Sequence, residues 1–170
     1  MKGRGSIALL LIAAAILLRP WDRGPAPDAE ASRHLTGRVV RAVDGDTLEV
    51  ALDDGPTETV RLIGVDTPET VKPDTPVQCF GPRASDFEHE HVEGRHVRLL
   101  TGVEPHDYYG RLLAYVWIVG RRHDRFLEVE LLRRGLARTL TFHPNDRFAL
   151  KFEGIAQKAA RSGIGLWNAC

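Results

Sequence analysis

A mainly β domain of the α+β class is what this sequence predicts, and three observations carry that expectation. Short β-rich runs separated by turn signals occupy residues 39–65 and 96–119. One helical segment, 82–92, is inserted between the third and fourth runs, and two more, 126–134 and 147–161, follow the fifth. Five strands with that arrangement of helices match a five-stranded Greek-key barrel of the OB type flanked by three helices.

Each element has a local reason. Val39, Val40 and Val43 lead into Asp44-Gly45-Asp46, after which residues 47–52 alternate apolar with polar, the pattern of a hairpin; Asp53-Asp54-Gly55-Pro56 supplies the next turn. Residues 59–65 form a third β-rich run that breaks at Asp66-Thr67-Pro68, where Pro68 steers Thr67 away from helical geometry. The segment 82–92 puts Ala84, Phe87 and His91 on one side and stops at Gly94. Strands over 96–100 and 111–119 are split by the turn-forming residues 107–110, and the last two helices close at Gly135 and Gly163.

The chain has 170 residues, 43% hydrophobic and 27% charged, which fits one ordinary globular domain. Lys plus Arg and Asp plus Glu stand at 23 each, which excludes a strongly basic duplex-coating protein and an acidic solvating chain. Any affinity for nucleic acid must therefore be local. Two cysteines are too few for a disulfide-framework miniprotein or a four-thiolate zinc site, leaving one disulfide or two reduced thiols.

Lys2 and Arg4 precede an apolar run over 7–18, the order of an export signal and shorter than the roughly 18 residues of a full span. Ala29-Glu30-Ala31 offers a small-residue cleavage site, but Arg19, Pro20, Trp21 and Arg23 lie between it and the apolar run, so an uncleaved anchor stays open. Pro20 and the loop-like residues 24–27 argue against a buried helix of the folded domain. The expected layout is a signal peptide or N-terminal membrane anchor with linker over 1–31 and a folded, near-neutral domain over 32–170. The protein is then exported, either secreted or anchored to the outer face of the cell membrane.

Chemistry is suggested by charged residues gathered at strand ends: Asp46, Arg61, Asp66, Glu69 and Arg111. A barrel pairing these strands could bring three carboxylates together, and a hard divalent cation, calcium or magnesium, relieves their repulsion with an all-oxygen donor set. Arginine is the complement on the substrate side, because its planar fork holds two phosphate oxygens and stays charged. Taken singly, Asp44 and Asp46 could be only a hairpin turn, and Arg61 with Asp66 or Glu69 only a surface ion pair.

Three segments, Val43-Asp44-Gly45-Asp46-Thr47, the run from Arg61 to Thr70, and the run from Asp107 to Tyr115, resemble in order and spacing the active-site segments of the thermonuclease (staphylococcal-nuclease-like) family. The likeness continues through Phe80-Gly81-Pro82-Arg83-Ala84, 132–137, Pro144-Asn145 and Gly165-Leu166-Trp167, covering 36–168. It implies an OB barrel and calcium-dependent hydrolysis of phosphodiester bonds in DNA and RNA with low sequence specificity, leaving a 3′-phosphate and a 5′-hydroxyl. By the same resemblance Asp46, Asp66 and the Thr67 carbonyl hold Ca2+, with Asp44 supporting them. Glu69 orients or deprotonates the attacking water, and Arg61 and Arg111 grip the phosphate.

Single-stranded or locally melted DNA and RNA are the implied partners, with no obligate protein partner. The alternative is a non-catalytic OB-type oligonucleotide-binding module at the cell envelope. Tyr108 stands where the family has a lysine, and residues 138–143 carry no tyrosine, so binding should be weaker and less salt-sensitive than in a basic relative. Tyr108, Tyr109 and Phe142 are left as base-stacking residues or as core, with Tyr109 able to bond a terminal phosphate. His89, Glu90, His91, Glu93 and His96 read as a solvated helix face rather than a zinc-protease motif. A Cys79–Cys170 disulfide is expected for an exported chain.

Overall fold

The computed structural model describes residues 32–70 and 76–170. The expectations placed on residues 1–31 lie outside the described residues. Among the described residues no helix is long and apolar enough to cross a membrane.

Five strands form the barrel: β1 (His34–Ala42), β2 (Thr47–Leu52), β3 (Thr57–Leu62), β5 (His96–His106) and β6 (Leu112–Ile118). They are ordered β3-β2-β1-β5-β6, every neighbouring pair antiparallel, and a parallel pairing of β3 with β6 closes the ring. A two-residue strand β7 (Arg125–Phe126) adds to the outside of β6. Leu48, Val50, Val60, Leu62, Leu99, Val116 and Ile118 fill the interior and are each almost fully buried. A register shift between Val39 and Arg41 breaks the inward-outward alternation of β1, which leaves Val40 and Arg41 both exposed.

The single third strand expected over 59–65 is two strands. Gly64, at φ +85°, turns the chain after Leu62, and β4 (Gly64–Asp66) leaves the barrel to pair antiparallel with β8 (Arg138–Leu140), opposing Asp66 to Arg138. The fourth strand also runs past residue 100 to His106, because a register shift between Thr101 and His106 lets β5 and β6 stay paired around an irregular stretch.

Helix α1 (Gly81–His91) lies against the β1–β2 turn, and α2 (Leu127–Arg133) and α3 (Ala149–Arg161) pack together with α2 against β6. Phe152 of α3 is buried against Phe126, Phe148 and Tyr115, whose rings form an edge-to-face cluster. A fourth, four-residue helix α4 (Leu166–Ala169) adds to the three expected; the Leu166 amide donates to the Gly135 carbonyl at 2.9 Å.

Two acidic side chains sit inside. Glu88 lies one turn beyond Ala84 on the inward face of α1, and Glu128 opens α2; both are fully buried. Glu128 accepts the Val116 amide at 3.1 Å, whereas neither oxygen of Glu88 has a hydrogen-bond partner among the described residues. Burial first, and then the charges of Glu128, Asp46 and Asp44, push the Glu88 carboxyl well above the usual carboxylate range.

Candidate active site

The β1–β2 turn is built to hold one carboxylate in a fixed place. The Val43 amide donates to the Thr47 carbonyl at 2.8 Å, and the Asp46 amide donates to Asp44 Oδ1 at 3.0 Å. A Cβ at Gly45 would lie 2.7 Å from Thr67 Oγ1 and 2.8 Å from the Ala84 Cβ, so only glycine lets the turn press this closely on α1. Asp46 is 6% exposed. Its Oδ2 accepts the Thr67 amide at 2.8 Å and the Thr67 hydroxyl at 3.1 Å, while Oδ1 faces Arg61 Nε at 3.2 Å. Burial, and then the Asp46 charge, hold the Asp44 carboxyl above its usual value.

Arg61 is fastened on every side. Its Nη1 donates to the Leu62 carbonyl at 2.9 Å and to the Val65 carbonyl at 3.0 Å, and Nη2 lies 3.3 Å from Asp66 Oδ1. One guanidinium therefore draws together a buried carboxylate and an exposed one, Asp66, from two different strand ends. The meeting of three carboxylates is not found: among the described residues no three His, Cys, Asp or Glu side chains form a metal cluster. Arg61 takes the place between Asp46 and Asp66, and the half-buried Glu69 instead accepts the Thr70 amide on Oε1 at 2.9 Å.

Arg111 is set by a second turn. Asp107 Oδ1 accepts the amides of Tyr109 and Arg111, each at 2.9 Å, and its Oδ2 accepts Arg111 Nε at 2.7 Å. Gly110, at φ +79°, closes that turn. Burial alone would raise the Asp107 carboxyl, but the Arg111 and Tyr109 bonds outweigh it and hold it below its usual value. The Arg111 guanidinium lies 5.5 Å from the centre of the Tyr109 ring.

Arg61 and Arg111 line one groove of about 570 Å3, together with His106, Tyr108, Tyr109, Phe142 and His143. Exposure excludes the core for the three aromatics: Tyr108 is 97%, Tyr109 79% and Phe142 67% accessible. Glu69, Asp46 and Asp66 are not among the lining residues; Asp46 and Asp66 meet the groove through their ion pairs with Arg61.

Reasoning from sequence alone gave no role to Asp107 or Gln78. The spacing of Asp107 to Arg111 across a glycine turn is a usable signal for the first. Gln78 Oε1 accepts the Glu69 amide at 3.1 Å across nine residues, and nothing local announces that. Of the residues expected on one solvated helix face, His96 instead opens β5 and meets Arg38 at 2.9 Å, while His89 meets Glu93 at 2.9 Å and His91 stacks on Phe87 at 4.7 Å. Cys79 and Cys170 are joined by a disulfide with their Cα atoms 5.9 Å apart.

The acceptor oxygens that Asp46 and Asp66 turn to Arg61 are of the kind that suits a hard cation. Asp46 Oδ1 and Asp66 Oδ1 already converge on one positive group, and they and the backbone beside them offer oxygen alone.

The pattern of fold and site has parallels in known proteins. The family model described as staphylococcal nuclease homologue matches residues 59–169. The thermonuclease of Staphylococcus intermedius is 41% identical over 165 residues, covering 95% of each chain, and that of Staphylococcus hyicus is 39% identical over 166 residues, covering 94% of this chain and 95% of the relative. Endonuclease YncB of Bacillus subtilis (strain 168) is 38% identical over 130 residues, covering 75% of this chain and 59% of its own. With the closed barrel and two arginines on one groove, these matches establish that the chain belongs to the staphylococcal nuclease homologue family.

Proposed function

We propose that this chain, a nuclease by family, is a calcium-dependent phosphodiesterase that hydrolyses single-stranded or locally melted DNA and RNA with little sequence specificity. The observation that carries this reading is the single groove holding Arg61 and Arg111 with three exposed aromatic rings. Arginine forks fit a phosphodiester, and exposed rings stack on any base face, which recognises a strand without reading its sequence.

Asp46, Asp66 and the Thr67 carbonyl are the residues to hold calcium, with Asp44 fixing the turn behind them. When bound, the ion supplies positive charge that polarises the phosphate as a Lewis acid. Arg111, and Arg61 through Nη2, the one of its nitrogens not spent on Asp46 or on backbone carbonyls, donate to the non-bridging phosphate oxygens and meet the extra negative charge of the five-coordinate transition state. Arg111 offers its Nη groups, since its bond to Asp107 uses Nε. Glu69 takes a proton from water as the water oxygen bonds to phosphorus. The bond from phosphorus to the 5′-oxygen breaks, that oxygen takes up a proton from solvent, and a 3′-phosphate and a 5′-hydroxyl remain. Tyr109, next to the Arg111 turn, bonds a terminal phosphate in this reading, and Tyr108 and Phe142 support bases.

The Cys79–Cys170 bond supports export to an oxidising compartment, as a disulfide between exposed residues persists there and not in a reducing cytosol. The test of the reading is cleavage of a labelled single-stranded oligonucleotide with calcium, with EDTA, and with Glu69→Gln in calcium. Cleavage that needs calcium and falls by orders of magnitude in the variant supports it. A folded protein that binds the strand without cutting it returns the chain to the class of oligonucleotide-binding barrels.

A further inference from the structure

A general base works only if its carboxylate is held still relative to the water and the phosphate, and a displacement of about 1 Å can cost about 100-fold in rate. The supports of Glu69 are therefore informative. Its carboxylate bonds to the Thr70 amide at 2.9 Å, so the direction of the side chain follows the main chain at 69–70. That main chain is clasped from both sides by one residue. The Glu69 amide donates to Gln78 Oε1 at 3.1 Å, and the Gln78 amide donates to the Glu69 carbonyl at 2.9 Å.

Gln78 is itself exposed and has no core to anchor it. Its neighbour Cys79 is bonded to Cys170, directly after α4, and α4 is held by the buried Leu166, whose amide donates to the Gly135 carbonyl, and by its contact with α3. On the other side the Gly81 amide donates to the Gln78 carbonyl at 3.0 Å. Phe80 between them adopts φ +70°, a conformation a bulky residue takes only where its surroundings impose it. A Cβ at Gly81 would lie 2.7 Å from Thr70 Cγ2 and 3.0 Å from the Glu69 carbonyl, so the strap over 78–81 presses directly on the segment carrying the base.

We propose that Gln78 is the positioning residue for Glu69, and that the Cys79–Cys170 bond is what holds Gln78 in place. The α4 end of the chain thereby sets the geometry of the base without touching substrate. This rests on the reading of Glu69 as the base.

The experiment uses the full chain with a labelled oligonucleotide in saturating calcium, comparing Gln78→Ala, Cys79→Ala with Cys170→Ala, the triple variant, and Glu69→Gln. Gln78→Ala is expected to lower kcat by about 10- to 100-fold with KM within about 2-fold of wild type. The double cysteine variant is expected to do the same, and the triple to be no slower than the worse of the two, because both act through one clasp. Amide hydrogen exchange without calcium supplies a reading apart from turnover: the Glu69 amide loses protection in Gln78→Ala and regains it in Gln78→Glu, which restores an acceptor oxygen.

If Gln78→Ala keeps wild-type kcat and Glu69 protection while Glu69→Gln is inactive, the positioning role is wrong and the base assignment survives. If Glu69→Gln is fully active, the underlying reading fails. Effects of Gln78→Ala and of the cysteine pair that multiply in the triple variant would overturn the link between disulfide and clasp. Since Gln78→Ala retains the disulfide, a cysteine variant that fails to fold still leaves the first half decided.

Discussion

Arg61 Nε sits 3.2 Å from Asp46 Oδ1, both side chains nearly removed from solvent, and the same guanidinium ties two backbone carbonyls of the β3–β4 corner. Removing it strips the buried Asp46 carboxylate of its counter-charge and opens that corner. Arg61→Ala is expected to lose about 3 kcal/mol of stability in a denaturant melt. It should also lose about 100- to 1000-fold in kcat, as the loss of one preorganised donor to the transition state does. A variant as stable as wild type would mean that the pair is solvated.

The buried Glu88 carboxyl sets a pH signature. Its folded pKa is raised by burial and by Glu128, Asp46 and Asp44, so the folded state keeps a proton that the unfolded chain gives up near pH 4.5. Stability from this group is complete below that point and is lost as pH rises toward the folded pKa. Glu88→Gln cannot ionise, so its stability relative to wild type should rise with pH through this window, with a limiting slope of about 1.4 kcal/mol per pH unit. Paired urea melts from pH 4 to 8 measure it, and a difference that stays flat would mean Glu88 is solvated.

Phe142 is two-thirds exposed, so its ring contributes little to the fold and is available to a base. Phe142→Ala should weaken oligonucleotide binding by about 1–3 kcal/mol with the melting temperature almost unchanged. If the two arginines of the groove carry the proposed phosphate contacts, the logarithm of affinity should fall with the logarithm of salt at a slope of about −1.4 for a single strand. A slope beyond about −3 would reveal further cationic contacts outside the groove.

Reducing the Cys79–Cys170 bond releases a constraint spanning 91 residues. The chain-entropy relation gives a loss of about 4–5 kcal/mol, readable as a lower denaturant midpoint for the reduced and alkylated protein. An unchanged midpoint would place the residues around Cys170 outside the cooperative unit.

The parts of the fold legible in the sequence are those fixed by neighbours along the chain. Asp44-Gly45-Asp46 announces its turn, Pro68 ends a strand, and alternation over 47–52 marks a barrel face. What was hidden depends on partners far away. Nothing near Gly64 says that β4 will leave the barrel for β8, which lies more than seventy residues on. No local signal marks the carboxylates Glu88 and Glu128 as interior, because their burial is imposed by the elements packed around them. The site residues were legible by type, but the lock of Thr67 on Asp46, and of Gln78 on Glu69, exists only once separate loops meet.

The parallel pairing of β3 with β6 aligns Arg61 with Leu113, two residues past Arg111, and all three line the groove. That contact joins segments about fifty residues apart, so it belongs to the slow, non-local part of folding. Until it forms, the two arginines sit on separate pieces of chain and the proposed phosphate grip is not assembled. Completing the barrel and arming the enzyme are then a single event, and refolding followed by fluorescence and by strand cleavage should give one rate.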